Sequence, residues 1–145
     1  FEVRHQCGSR DIDEVQRAYA DIGVKASVVS FIEDMADSYG WADLAVCRAG
    51  ALTVAELSAA GLGAVLVPFP LAVDDHQTRN AKILVDIGAA SIISDVELAP
   101  ETLAVRIQQA SASRDALIAM ATAARSLARP GAVERIVECC LEPAS

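Results

Sequence analysis

Short apolar runs alternate along this chain with longer stretches in which apolar positions recur every three or four residues. Phe1 to His5 reads as a strand, followed by the turn Gln6-Cys7-Gly8-Ser9. Asp11 to Ile22 carries Ile12, Val15, Ala18, Tyr19 and Ile22 at helical spacing, and Gly23 stands where a C-terminal cap belongs. Lys25 to Val29 is a second strand, and Glu33 to Tyr39 a short helix ended by Gly40. Leu44 to Cys47 is apolar throughout, the pattern of a strand buried on both faces. A helix runs from Leu52 to Ala60, a strand from Ala64 to Val67 stops at Pro68, and a loop from Phe69 to Asp75 leads into a helix from His76 to Asp86, closed near Gly88. Ser91 to Ser94 is a last strand. Three helices follow: Pro100 to Ala110, with proline at the first helical position, Asp115 to Leu127, and Ala132 to Leu141 beyond Pro130-Gly131.

Strands thus alternate with helices and lack polar alternation, which predicts an α/β fold, a Rossmann-like doubly wound parallel sheet covered on both faces. Right-handed crossovers bring the loops after the strands to one edge, so Phe31-Ile32, Arg48 to Thr53 and Phe69 to Asn80 are expected to gather there.

A length of 145 residues fits one domain, and 53% apolar with only 4% aromatic residues predicts a core of Ala, Val, Leu and Ile. The formal net charge of −8 argues against nucleic-acid binding, which needs Lys and Arg to displace counterions. No apolar run reaches the roughly 20 residues of a membrane helix. Cys7, Cys47, Cys139 and Cys140 form no C-x-x-C pair, so free thiols in a reducing cytosol are expected. With only His5 and His76 beside them, no metal site is expected. Phe1-Glu2-Val3 reads as the interior of a strand, which suggests a chain cut from something longer.

The chemistry concentrates in Asp43 to Ala60. A strand, the small-residue turn Arg48-Ala49-Gly50-Ala51 and a helix N-terminus make a cradle for phosphate, because the first helical N–H groups lack partners and the dipole adds positive charge. Gly50 is expected to take a backbone geometry other residues resist, and Arg48 to add a full charge. Glu56 suits the hydroxyls of a ribose. The plainer alternatives are a solvated Arg48 and a Glu56 that merely complements the helix dipole. In Asp74 to Asn80, the amides of Gln77 and Asn80 suit sugar hydroxyls, while Asp74 or Asp75 serves as helix cap and His76 as cap, contact residue or base.

Four segments in order, F-I-E-D-M (Phe31 to Met35), A-D-L-A-V-C-R-A-G-A-L-T-V-A-E (Ala42 to Glu56), V-P-F-P (Val67 to Pro70) and D-D-H-Q-T-x-N-A (Asp74 to Ala81), resemble the MurG family. These are the UDP-N-acetylglucosamine transferases that make lipid II in peptidoglycan synthesis. The resemblance spans nearly the whole chain. It implies the C-terminal, donor-binding half of a GT-B glycosyltransferase, residues 1–145, without its first strand and glycine-rich turn and without the N-terminal acceptor domain. By position, Ile32 would meet uracil through its backbone. Gly50, Ala51, Leu52 and Thr53 would hold the diphosphate with Arg48 nearby, Glu56 would bind the ribose, and His76, Gln77 and Asn80 would line the sugar pocket. The implied reaction is an inverting transfer of N-acetylglucosamine to lipid-linked MurNAc-pentapeptide, needing no metal or other cofactor. The general base lies in the absent half, so this chain would bind UDP-N-acetylglucosamine without turning it over. The whole enzyme would sit peripherally on the cytoplasmic face of the inner membrane and serve cell wall synthesis, cell shape and cell division. Ala49 stands where the family often has Ser, implying a lost hydroxyl contact, and Gly63 replaces a frequent Pro, which is expected to loosen a turn.

Other readings of the same residues are a donor-binding subunit of a two-chain glycosyltransferase, a sugar-nucleotide epimerase, and a non-catalytic nucleotide-sugar-binding module. A nicotinamide-dependent dehydrogenase fits least, since no G-x-G-x-x-G follows a strand.

Overall fold

The computed structural model describes residues 1–70 and 75–141. The chain divides into two compact units, Phe1–Trp41 and the remainder from Ala42. In the first, β1 (Val3–Gln6), α1 (Ile12–Asp21), β2 (Ala26–Val29) and α2 (Met35–Trp41) follow in order, and β1 pairs in parallel with β2, Val3 opposite Ala26. The α2 helix starts later than the spacing predicts because the Asp34 carboxylate accepts the Asp37 N–H at 2.8 Å, a side-chain cap. Gly40 does not end it. Its φ is not positive, and the helix runs through it to Trp41. Arg4 reaches back from β1 to Asp37 at 2.6 Å and lies over the Trp41 ring, 4.4 Å from its centroid.

The second unit contains β3 (Ala45–Cys47), α3 (Ala51–Ala60), β4 (Ala64–Leu66), α4 (His76–Val85), β5 (Ala90–Ile92), a single 3₁₀ turn at Asp95–Glu97, α5 (Pro100–Ala110), α6 (Arg114–Ser126) and α7 (Ala132–Leu141). Its strands pair in parallel in the order β3-β4-β5, so the strand hydrogen bonds form one ladder per unit. Ala64, Val65 and Leu66 of β4 are fully buried, and Val65, Val67 and Ile93 cluster with Leu44 and Leu103. The expectation that Leu44–Cys47 is buried on both faces fails at Val46, 46% exposed, because β3 is an outer strand of its ladder. Among the described residues the buried apolar side chains are all Ala, Val, Leu or Ile, the core that a 4% aromatic content predicts.

Helix α3 buries Val54, Leu57 and Ser58, the i, i+3, i+4 stripe of a helix laid on a sheet. It ends at Gly61, whose φ of 67° is left-handed; Gly61 donates to Ser58 and Leu62 to Leu57, the paired bonds that satisfy the last carbonyls. Arg125 of α6 donates to the Ala59 carbonyl at the same terminus, where a cation also meets the negative end of the dipole. The anchored end of α3 fixes where its other end opens.

Candidate functional site at the N-terminus of α3

Helix α3 opens directly from the turn after β3. Gly50 is its N-cap and accepts the Val54 N–H at 3.0 Å as the first helical bond, which leaves the N–H groups of Ala51, Leu52 and Thr53 ahead of the ladder. The first turn carries no acidic residue, so the positive end of the dipole is unneutralised there. Gly50 corrects the sequence reading. Its φ of −63° and ψ of 150° are open to any residue, and an added Cβ would lie 3.5 Å from Thr53 Oγ1, an ordinary contact. What glycine provides here is bare backbone beside the first N–H groups and the Thr53 hydroxyl.

Arg48 is not the solvated charge of the plainer reading. Its Nη1 donates to Asp95 Oδ1 at 2.6 Å and to the carbonyls of Val67 and Pro68 at 3.3 and 3.2 Å, and its guanidinium lies 5.5 Å from the Phe69 ring centroid. It braces the turn after β3 against the loop after β4. Ala49 is fully buried at this turn.

The polar residues of α4 converge on the same turn. Asn80 Nδ2 donates to the Ala49 carbonyl at 3.1 Å, and the Phe69 N–H donates to Gln77 Oε1 at 2.9 Å. A carbonyl only accepts and an N–H only donates, so both amides have a fixed orientation. Gln77 then presents its NH₂ group and Asn80 its Oδ1, a donor and an acceptor matched to hydroxyls. His76, at the first position of α4, is exposed. The capping expectation is corrected at Asp75: among the described residues its side chain makes no cap bond, because its left-handed backbone (φ 53°, ψ 32°) departs from the extended geometry of a capping residue. Asp74 lies outside the described residues.

Glu56 is exposed, the sixth residue of α3 and the only charged one on that helix. The dipole effect fades within the first turn, so the dipole alone does not account for its position. Burial, with the Glu56 charge adding to it, pushes the Cys47 thiol up to about 11. Cys47 is accordingly expected to resist iodoacetamide at pH 8, while exposed Cys139 and Cys140 react first; peptide mapping by mass spectrometry checks this, since only the thiolate attacks.

Two of the three loops expected on one edge are therefore joined by direct bonds. Ile32 belongs to the other unit, where its N–H donates to Gln6 Oε1 at 2.8 Å. Sequence reasoning missed Asp95 and Phe69; a carboxylate just past the end of β5, on the edge where loops collect, was the available signal.

Residues 1–136 match the glycosyltransferase family 28 C-terminal domain. The chain belongs to this family. It is 57% identical over 144 residues, 99% of its own length, to the UDP-N-acetylglucosamine--N-acetylmuramyl-(pentapeptide) pyrophosphoryl-undecaprenol N-acetylglucosamine transferase of Marinobacter nauticus. The same identity and coverage relate it to the protein of that name from Nitrosococcus oceani. In both cases the chain spans 40% of the relative's length. Among solved structures, Acinetobacter baumannii MurG superposes with a TM-score of 0.88 at 46% identity, over 95% of this chain and 42% of that one. The glycosyltransferase VinC, at 16% identity and a TM-score of 0.63 over 94% of this chain and 41% of its own, shares the fold. The α/β architecture is thus that of the C-terminal half of GT-B glycosyltransferases. Among the described residues no helix is long and apolar enough to cross a membrane.

Proposed function

We propose that this chain is the donor-binding part of an inverting glycosyltransferase that moves N-acetylglucosamine from its UDP carrier to lipid-linked MurNAc-pentapeptide. One observation carries the reading. The helix N-terminus at Gly50 and the polar face of α4 are bonded together through Asn80 and Ala49, in a chain 57% identical to transferases named for that reaction.

In this reading the N–H groups of Ala51, Leu52 and Thr53 receive the diphosphate. As UDP leaves, negative charge grows where these fixed donors already point, so little reorganisation accompanies bond breaking. Glu56 accepts from the ribose hydroxyls. Gln77 and Asn80, with His76 beside them, select the sugar. Arg48 holds the turn in place and adds positive potential behind it. The general base and acceptor site belong to the remainder of a longer enzyme, so this chain binds donor and leaves it intact. The same reading implies peptidoglycan synthesis on the cytoplasmic face of the inner membrane, with its consequences for cell shape and division.

The test is calorimetric titration of the chain with UDP-N-acetylglucosamine, UDP-N-acetylgalactosamine and UDP-glucose. Preference for the first is expected. Failure of a folded sample to bind any of them would overturn the assignment.

A further inference from the structure

We infer that Asp95 is a positioning residue for the donor site, acting through Arg48; the inference rests on the donor-site reading above. An exposed ion pair on its own stabilises little, and both partners here are only partly buried. What distinguishes this pair is where its cation goes next. Among the described residues the hydrogen bonds of Arg48, to Asp95, Val67 and Pro68, all use Nη1, so one guanidinium nitrogen ties the turn after β3 to the segments after β4 and β5. The guanidinium also faces the Phe69 ring.

From Phe69 the contacts close on themselves. The Phe69 N–H is held by Gln77, one turn of α4 from Asn80, and Asn80 holds the carbonyl of Ala49, the residue after Arg48. Turn, loop and helix therefore form a ring of fixed contacts around the opening of α3. Asp95 touches that ring at one point, from the 3₁₀ turn after β5. Its carboxylate selects the Arg48 rotamer that reaches the Val67 and Pro68 carbonyls. Without that charge only two carbonyls and the Phe69 ring hold the guanidinium on its flexible stem, and the spacing between the phosphate cradle and the sugar-side amides is set less tightly.

The chain itself supplies the experiment. In Asp95→Asn, UDP affinity by calorimetry is expected to fall about tenfold, with Asp95→Glu recovering most of it. Arg48→Met and the double variant Arg48→Met/Asp95→Asn are expected to bind UDP equally, because Asp95 has nothing to act on once Arg48 is gone. In the unliganded Asp95→Asn chain, the Phe69 backbone amide and Asn80 side-chain amide resonances are expected to shift, a change that a merely stabilising role would not produce. Normal UDP affinity in Asp95→Asn, or additive losses in the double variant, would overturn the inference while leaving the donor site standing. Absence of UDP binding to the unaltered chain would remove the donor-site reading and this inference with it.

Discussion

Replacing Glu56 by Gln is expected to weaken UDP binding by about 1–3 kcal/mol, roughly fivefold to 150-fold, the usual loss when a charged hydrogen-bond partner becomes neutral. The position makes the effect specific. Glu56 is the lone charge on α3 and lies past the first turn, where a carboxylate neither neutralises the dipole nor crowds the phosphate cradle. A vicinal diol offers two O–H donors, and a carboxylate accepts both. Gln keeps the shape and one acceptor but loses the charge. Because the residue is exposed, the substitution should leave stability nearly unchanged, so a lost affinity reports on the site. The deciding control is 2′-deoxy-UDP, which the unaltered chain should bind about as poorly as Glu56→Gln binds UDP. The variant itself should no longer distinguish the two nucleotides. Equal UDP affinity in variant and parent would end the ribose assignment.

Elements with local punctuation were legible in the sequence. Pro100 opened α5 and Pro130-Gly131 isolated α7, and both ranges agree with the structure because proline fixes φ at a helix start and glycine interrupts a helical run. Gly23 and Gly88 likewise follow their helices with positive φ. Boundaries set by side chains were less visible. Ser113 caps α6 by accepting the Ala116 N–H at 3.1 Å, so the helix starts one residue before the expected Asp115, and Asp34 caps α2, which starts two residues after the expected Glu33. Ser and Asp cap in some places and merely face solvent in others, and periodicity does not say which. At the site, the residue types that suit a nucleotide sugar could be read from the sequence. What each side chain does could not, because Arg48 is turned towards Asp95 by a contact 47 residues away in sequence. The same holds for the division of Gln77 and Asn80 between bracing the loops and facing a ligand, which exists only once α4 lies against the turn.

Gly63→Ala is expected to destabilise the chain by about 1–3 kcal/mol, the range for forcing an extra methyl into a packed interior. Beyond the expected loosening of the turn, the surroundings of Gly63 add a packing constraint. Gly63 is buried, its φ is not positive, and its carbonyl accepts the Ala45 N–H at 3.0 Å, so the ladder between β3 and β4 holds it in place. A Cβ built on it would come within 2.8 Å of Met120 Cβ and 3.2 Å of Met120 Cε. The methyl of Cε can swing away, but Cβ is fixed to the backbone of α6. Relief therefore requires α6 to retreat from α3, against the Arg125 bond that ties it to Ala59. A midpoint lower by roughly 3–10 °C in thermal unfolding is the expected reading. The double variant Gly63→Ala/Met120→Ala separates the two obstacles. If the flexible end of Met120 were the whole difficulty, truncating it would restore stability. Because the nearest atom is Cβ, which Ala retains, the double variant should stay destabilised. A single variant that melts within a degree of the parent would show that α6 yields freely. Proline brings its own Cβ to this position, so installing the family's frequent residue should likewise demand that α6 move or that residue 120 change with it.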